Sequence, residues 1–498
     1  MMVSLVTAMV LFIAFFYISG FAYEAFHGPS ELIYYDKDKT YHGYTLFAHT
    51  HIFLIDMEGN VVNTWEIPEG YSIEKTARLL ENGNLLRAIR PPQGQKVRGT
   101  GVIGSVFQEL DWDGKVLWEF EDPRPNYVAH HNFKRIFNKK LNAYTTIMIA
   151  TRGTGDSIYI SKEKAVSKGC DPSKSYGDAR PDGVIEVDME GNIVWEWWSF
   201  DHVIQDKNPD WPNYGNVAAN PGRLDLNWGN GVTGDFIHAN SLDYNEGLDQ
   251  IVLNASAKSE FWIIDHANTF IPGDPEASIA LAAGPKGDIL YRWGNPSLFD
   301  HGEEPSYFEG RSSEGHQQVH FSHDIQWIKP GLQGAGHFLL FDNGFRRAGK
   351  TRSAVVEVNP YDGPPENGLY VPQMEAGYNE SNISKQIVWT FTSRELNSFY
   401  SQHISGCQRL PNGNTLVCSG RQGHLFEITK DGEVVWEYIN PYINPMAGPE
   451  GFADGTPHKV LEDGQVNHVF TCHRYGPDYQ GLKGKDLTPK GPITEISF

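Results

Sequence analysis

Four histidines hold the same place within a repeated segment of the chain, each at the head of an apolar run that leads into a loop or turn. They are His130, His238, His323 and His403. A single histidine in such a run is usually a hydrogen-bonded strand residue, but independent packing needs would not select one residue type at one phase of four repeats. Imidazole can act as base, acid, nucleophile or metal ligand near neutral pH. The pattern therefore predicts one chemical site built from four distant parts of the chain.

A basic pair follows the third of these histidines, in the run Phe341-Asp-Asn-Gly-Phe-Arg-Arg347. A guanidinium stays charged, and its planar fork fits an oxyanion of sulfate or phosphate shape. A fixed positive charge beside a histidine would oppose a bound metal ion, so this combination favours transfer of an anionic group. The structural alternative for Arg346 and Arg347 is a surface pair that caps a loop.

Short strands must hold these residues in place. The stretch 401–439 contains four apolar runs, the first opening on His403, with turns at Asn412-Gly413 and Asp431-Gly432, dipeptides that strongly favour tight hairpins. Its last two strands recur, with a closing tryptophan, at five other places, which end at Trp65, Trp118, Trp195, Trp293 and Trp389. Repeats too thin to bury their own faces predict an all-β fold, a six-bladed β-propeller with long functional loops.

The two ends of the chain are expected to complete this ring. The first repeat has only its outer strands before Trp65, and apolar runs that open on His458 and His468 supply strands that would close the propeller with N- and C-terminal strands. Residues 3–23 carry no charge and are long enough for one hydrophobic helix across a bilayer core of ~30 Å. We expect a signal anchor at 1–24 and a propeller domain at 25–498.

The location of the domain follows from the same segment. A cleaved signal peptide would need a basic start, a shorter apolar core and a small-x-small cleavage site, and this segment has no Lys or Arg before it. We therefore expect a membrane-anchored propeller on the periplasmic or extracellular side, and a secreted form after signal cleavage is the alternative. The net charge of −21 argues against nucleic-acid binding, which needs clustered Lys and Arg.

Four cysteines are too few for a disulfide scaffold in 498 residues. Cys407 and Cys418 would lie opposite each other in a hairpin that turns at Asn412-Gly413, so a cross-strand disulfide and two packed thiols both stay open. The sequence also leaves both a monomer and a homodimer open.

At this point the chain resembles the arylsulfate sulfotransferases, six-bladed propellers of the bacterial periplasm that transfer a sulfuryl group between phenols. The resemblance runs from about Tyr44 onward. It is carried by His-Ala-Asn-Ser at His238, His-Asp at His323, the Asp-Asn-Gly run that ends at Arg347, and His-x-Ser-Gly-Cys-Gln-Arg-Leu-Pro-Asn-Gly-Asn at His403. It implies that His403 is the nucleophile that becomes transiently sulfated, while His238, His323 and Arg347 hold the sulfuryl oxygens.

The resemblance also implies an aryl sulfate donor, a phenolic acceptor, ping-pong kinetics and no cofactor. In agreement, the sequence has no phosphate-binding Gly-x-x-x-x-Gly-Lys-Ser/Thr loop and no dinucleotide-binding glycine fingerprint after a strand. The choice between Arg346 and Arg347 stays open. Further candidates for substrate contacts lie next to these residues; they are His130, Arg346, Asn240, Asp342, Asn343, Phe345 and Tyr400.

Two departures and two rival functions remain. The family has a cleaved signal and an N-terminal β-domain, whereas this leader is expected to be retained with little room before the first repeat. One rival is a metalloenzyme in which the four histidines hold one first-row metal. The other is a non-catalytic, membrane-tethered propeller that serves as a binding or assembly module.

Overall fold

The computed structural model describes residues 28–91, 105–174, 179–228, 234–306, 313–347, 352–363, 368–393, 398–443, 460–461 and 467–497. The hydrophobic segment at 1–24 and His458 lie outside these ranges. Within them, no helix has the length and apolar character needed to cross a membrane.

The described strands form a six-bladed propeller, as the repeats predict. Four blades are antiparallel meanders of four strands that follow one another in the chain. Blade 2 contains Ser72–Leu79, Leu85–Arg90, Val106–Leu110 and Val116–Phe120; blade 3 contains Tyr127–Asn138, Ala143–Arg152, Asp182–Val187 and Ile193–Trp198; blade 4 contains Ala239–Asn245, Gln250–Ala255, Glu260–Asp265 and Tyr291–Trp293; blade 5 contains His323–Trp327, Phe338–Asp342, Ala354–Val358 and Ile387–Phe391.

The other two blades combine strands from both ends of the described chain. In blade 1, Cys472–Tyr475 pairs with Tyr44–Ala48, which is followed by Ile52–Ile55 and Val61–Trp65. Blade 6 contains Gly406–Arg409, Thr415–Ser419, His424–Ile428 and Val434–Ile439, and Glu31–Tyr35 adds a fifth strand at its outer edge. Smaller elements are the strand pairs Gly28–Pro29 with Val460–Leu461 and Val203–Ile204 with Leu224–Asp225, and the helices Lys162–Val166, Pro275–Ala282 and Gln373–Ala376.

In four of the six blades, the recurring tryptophan donates a hydrogen bond to the next blade. The indole N–H of Trp65 donates to the carbonyl of Asp111 in the turn of blade 2 at 3.1 Å. The indole of Trp436 donates to Met57 of blade 1 at 2.9 Å. These indoles are buried, and a buried N–H needs an acceptor. The recurring tryptophan therefore contributes to contacts between blades as well as to the strand pattern within each blade.

Buried ion pairs join the same neighbours. A glutamate of the third strand meets a cation of the following blade in four of the six interfaces; the pairs are Glu109 with Arg135, Glu186 with His266, Glu357 with Arg409, and Glu427 with Arg474. Breaking such a pair leaves a buried charge without compensation. Charge pairing between blades was not apparent in the sequence because the partners lie far apart in the chain.

Two local expectations for blade 6 are wrong. Its inner strand begins at Gly406 instead of His403, because Ile404 and Ser405 have φ of 53° and 91°, outside the strand region. Cys418 lies opposite Gly406 and not opposite Cys407. All four cysteines are buried free thiols.

Candidate functional site

The inner strands line the central channel. Residues in or just before several of these strands have a strained backbone conformation. His131, His238, Asp324 and Ile404 have φ between 45° and 55°, a left-handed conformation that costs a non-glycine residue about 1–3 kcal/mol. Register shifts follow His130, Ala239 and His323 in blades 3, 4 and 5. Strain of this kind concentrates at functional sites, where it directs side chains out of the regular alternation.

Ring contacts connect histidines of different blades at this end of the channel. The His131 ring centroid lies 5.2 Å from that of His238 and 6.1 Å from that of Phe470. Phe470 is also 6.0 Å from the His323 ring. The His403 ring lies 5.2 Å from the ring of His468. We call this group, consisting of His131, His238, His323, His403 and His468, the histidine end of the channel.

His323 holds the segment that carries His403. Its Nδ1–H donates to Oδ1 of Asn343 at 2.6 Å, and its Nε2 accepts from the backbone N–H of Ile404 at 3.2 Å. The amide nitrogen of Asn343 donates to the carbonyls of Ser401 and Ile404, which fixes the orientation of the amide. Burial lowers the pKa of His323 to about 3. His323 is therefore neutral, with both ring nitrogens engaged by the protein.

His238 is the histidine of the group whose pKa is raised. Its Nδ1 donates to Oδ2 of Asp235 at 2.5 Å, and the guanidinium of Arg180 lies 3.2 Å from the same oxygen. Burial opposes the charged form, but the charge of Asp235 and its hydrogen bond outweigh burial and raise the pKa of His238. An imidazolium here can donate a proton or bind an anion.

His130 and His131 form a hydrogen-bonded relay with Asp182. The two Nδ1 atoms are 2.7 Å apart, and Nε2 of His130 lies 3.4 Å from Oδ1 of Asp182. The carboxylate can only accept, so in the neutral pair the hydrogen of His130 is on Nε2 and His131 donates through Nδ1. Burial, followed by the charges of His130 and His238, holds the pKa of His131 well below its usual range. With the hydrogens in these positions, Nε2 of His131 carries no hydrogen and can accept a proton.

His403 lies half-buried, and its ring contacts that of His468. His468, which touches the His403 ring, has its Nε2 3.4 Å from the guanidinium of Arg421. Burial raises the pKa of Tyr400, and the nearby Arg421 opposes that shift. The surroundings of His403 thus supply a second imidazole and, beyond it, a guanidinium.

The arginine predicted to clamp an anion has carboxylate partners instead. Arg347 forms ion pairs with Asp342 and with Glu314, the latter at 3.1 Å. These three residues line a cavity of about 500 Å³ outside the histidine end. Arg346 is exposed, and its guanidinium lies 5.2 Å from the Phe345 ring and 5.8 Å from the Phe321 ring.

Other predicted contact residues have structural hydrogen bonds. The Asn240 amide donates to the Ser322 carbonyl and accepts from Asn254. Asp342 accepts from the backbone N–H groups of His320 and Gly344 as well as from Arg347. Asn343 positions His323, and Phe345 packs on Phe321 at 5.1 Å.

Sequence reasoning missed several members of the group. The doublet His130-His131 was read as one axial histidine, yet it is His131 that contacts His238. His468 was seen only as the start of a strand, although its place ahead of an inner strand was the signal already used for the other histidines. Asp235 stands three residues before His238, a spacing that sequence analysis could have weighed as a carboxylate-histidine pair.

In the described part of the chain, no group of three or more His, Cys, Asp or Glu side chains has the arrangement of a metal site.

Comparison with known proteins gives one family match. The model of the arylsulfotransferase (ASST) family matches residues 135–442, more than half of the chain. No curated protein sequence matches this one.

The matches among solved structures are distant in sequence. A protein of unknown function from Bacteroides caccae is 10% identical with a TM-score of 0.40, over 86% of this chain and 98% of that one. A putative 6-phosphogluconolactonase from Bacteroides fragilis is 10% identical with a TM-score of 0.34, over 87% and 98%. The periplasmic gluconolactonase of Pseudomonas aeruginosa is 9% identical with a TM-score of 0.29, over 89% and 97%.

Proposed function

The chain belongs to the arylsulfotransferase family, and on that premise we propose that it transfers a sulfuryl group from an aryl sulfate to a phenol through a sulfated His403. The observation that carries the proposal is the family match over residues 135–442, a range that includes His238, His323 and His403. The contacts around these residues support it, because groups that act on one small anion must lie together.

In the first step, an imidazole nitrogen of His403 attacks the sulfur of the aryl sulfate. The nitrogen–sulfur bond forms as the bond from sulfur to the phenolic oxygen breaks, and the electron pair leaves with the phenolate. His238 donates the proton that converts the phenolate to phenol, because Asp235 raises the pKa of His238 and so favours its cationic form. A covalent intermediate divides one difficult displacement into two easier ones.

Fixed positive charge stabilises the sulfuryl group during this step. The group spreads negative charge over three oxygens, and preorganised donors in a site shielded from water are effective partners for such charge. His238 supplies one cation. Arg421, which reaches the His403 ring through His468, supplies the second. Arg347 is not assigned this role because Asp342 and Glu314 already neutralise it.

In the second step, the acceptor phenol attacks the sulfur of sulfated His403. The new oxygen–sulfur bond forms as the nitrogen–sulfur bond breaks, and its electron pair returns to the imidazole. Nε2 of His131 takes the phenol proton, as the relay from Asp182 through His130 presents it as an acceptor. His131 and His238 are in ring contact, so the proton can return to His238 and restore the starting state.

Membrane attachment belongs to the same proposal. We place the propeller on the periplasmic or extracellular side, held by the hydrophobic segment at 1–24. Protease treatment of intact cells or spheroplasts should cleave the exposed domain. Resistance to protease until the membrane is lysed would contradict this placement.

The activity is tested with 4-nitrophenyl sulfate and phenol. We expect a burst of nitrophenolate, formation of phenyl sulfate, and a mass gain of one sulfuryl group on the peptide that contains His403. His403→Ala should lose the burst and the label, whereas His42→Ala, a change at an exposed histidine, should keep both. Nitrophenolate release without a label on His403, or a label on another residue, would overturn the mechanism.

A further inference from the structure

One carboxylate in the central channel connects four of the six blades. Asp324 belongs to the inner strand of blade 5, and its Oδ2 accepts from the backbone N–H of Cys407 in blade 6 at 2.9 Å. The same oxygen lies 3.5 Å from the hydroxyl of Thr471, which precedes the inner strand of blade 1. Oδ1 lies 3.8 Å from the guanidinium of Arg78 in blade 2. Blades 2 and 5 face each other in a six-bladed ring, so this last contact crosses the channel.

The inner strand of blade 6 approaches this carboxylate with no side chain between them. A Cβ atom on Gly406 would lie under 3.0 Å from Oδ2 of Asp324 and from Oγ1 of Thr471, closer than real Cβ atoms come to other heavy atoms. Only glycine therefore lets the Cys407 N–H reach Asp324. Gln326 of blade 5 adds a second bond to the same residue, since its amide donates to the Cys407 carbonyl at 2.6 Å.

Two successive residues of blade 5 hold the segment that follows His403. His323 accepts from the Ile404 N–H, and Asp324 accepts from the Cys407 N–H. Neighbouring side chains of a strand usually point to opposite sides, but Asp324 has φ of 54° and the register shifts after His323. This irregularity lets both side chains contact the same segment.

Asp324 also contacts the segment that carries His468. Thr471 lies three residues after His468, and the His468 ring lies 5.2 Å from that of His403. The carboxylate is therefore in contact with both of the segments that place these two histidines side by side.

Arg78 and Asp243 are the charged groups that act on Asp324 most strongly. Burial raises the pKa of Asp324 to about 6, the charge of Asp243 in blade 4 acts in the same direction, and Arg78 opposes both. The carboxylate therefore loses its charge as the pH falls through about 6. The titratable groups of blades 1 and 6 around it are neutral, because burial lowers the pKa of the imidazole and raises the pKa of the thiols; they are His473, Cys407 and Cys418.

On the basis of the function proposed above, we infer that Asp324 is a positioning residue of sulfuryl transfer, whose ionised form holds the segments of His403 and His468 in the reactive geometry. A carboxylate can accept from the Cys407 N–H and from Arg78 at the same time. In the protonated form, one oxygen carries a hydrogen that neither of these donors can accept, so a contact with blade 2 or blade 6 is lost.

Single-turnover sulfation of His403 with 4-nitrophenyl sulfate, followed above and below the pKa of Asp324, tests this role. Asp324→Asn should be at least about tenfold slower than the wild type above that pH, since a displacement of ~1 Å in a reacting group costs about 10²-fold. Below a pH of about 6 the wild type loses the same charge, so the ratio of the two rates should approach one. Arg78→Met removes the cation that favours the carboxylate, so its rate should fall at a higher pH than that of the wild type.

Unfolding midpoints separate positioning from a general structural role. The raised pKa of Asp324 means that folding disfavours its charged form, so Asp324→Asn should unfold at the wild-type midpoint or above it at neutral pH. A residue needed only for stability would lower the midpoint and slow the reaction by the same factor at every pH. Asp113→Asn, which changes an exposed carboxylate in a turn of blade 2, should keep the wild-type rate and midpoint.

Three results would each overturn the inference: a ratio of rates that is constant with pH, an acid limb of Arg78→Met that coincides with that of the wild type, or a lowered midpoint of Asp324→Asn. In each case a label on His403 in the wild type would leave the proposed function intact. A wild type without that label would overturn both.

Discussion

Nε2 of His323 accepts a hydrogen bond from the backbone N–H of Ile404, the residue that follows His403. The other ring nitrogen is held by Asn343, whose amide also donates to the carbonyls of Ser401 and Ile404. A histidine whose two ring nitrogens are both hydrogen-bonded to the protein serves to hold the backbone in position. His323 and Asn343 together fix the left-handed segment on which His403 depends.

The first prediction concerns Asn343→Asp. A carboxylate can still accept from His323, but it cannot donate to the two carbonyls and would repel them. We expect kcat/KM for 4-nitrophenyl sulfate to fall about 10²-fold, since a displacement of ~1 Å in a reacting group has an effect of that size. The label should still form on His403, at a lower rate in rapid-quench measurements. Labelling at the wild-type rate would show that Asn343 does not position His403.

The pH dependence of the first step follows from Asp235. Because Asp235 raises the pKa of His238, the imidazolium is lost only as the pH rises through that raised value. In Asp235→Asn the charge is absent, burial dominates, and the pKa of His238 should fall below its ordinary 6.5. The alkaline limb of kcat/KM should therefore move to lower pH. Phenyl sulfate is the suitable donor, because its leaving group needs a proton more than nitrophenolate does.

An unchanged alkaline limb in Asp235→Asn would show that His238 is not the acid. The same variant measured with 4-nitrophenyl sulfate serves as the comparison. Its weakly basic leaving group should make the rate loss above neutral pH smaller.

The number of blades could be predicted from the sequence because its signals are local. Tight turns such as Asp431-Gly432, followed by a short strand with a tryptophan, are visible in four of the six copies, and the other two copies keep the strands around an insertion. The bond from Trp65 to Asp111 and the pair of Glu427 with Arg474 join different blades, and no local pattern reports them. Spacing therefore gave the fold but not the contacts that hold the ring together.

The histidine end could be predicted only in part. Repeat phase selected His238, His323 and His403, but a register shift and a positive φ decide whether His130 or its neighbour reaches the channel. Those are backbone features that arise from the whole blade. Arg347 was predicted from the Asp-Asn-Gly run that carries the family resemblance. Its partner Glu314 comes from a long insertion whose course the sequence does not indicate.

Arg347→Met distinguishes an ion-pair role from an anion-binding role. Asp342 is buried, so removal of its partner should destabilise the fold by about 3–5 kcal/mol, the usual cost of leaving one buried charge unpaired. Thermal unfolding should show a lower midpoint, and adding Asp342→Asn should recover part of the loss. An unchanged midpoint together with lost activity would instead assign Arg347 to the sulfuryl group.

The pair that joins blades 6 and 1 is the strongest candidate for a stability effect. Glu427 and Arg474 are fully buried and lie 3.2 Å apart. Glu427→Gln should therefore destabilise the protein by about 3–5 kcal/mol. The matched control is Glu433→Gln in the same blade, whose partner Lys39 is exposed, and its unfolding midpoint should stay at the wild-type value. Equal midpoints for the two variants would show that the buried pair does not hold the ring closed.

The relay from Asp182 through His130 to His131 should affect the second step and spare the first. In Asp182→Asn the side chain can donate to Nε2 of His130, which reverses the hydrogen order and places the acceptor nitrogen of His131 on the wrong side. The nitrophenolate burst should keep its amplitude, while transfer to the acceptor slows about 10²–10⁴-fold, the range for general-base catalysis. Phenols of high pKa should be affected most, because they depend most on proton removal, so a steeper plot of log rate against acceptor pKa is the measurement. An equal loss for all phenols would point to a general distortion of the site. His131→Asn retains a polar group but no base, so it should reproduce the steep plot if the relay acts through His131.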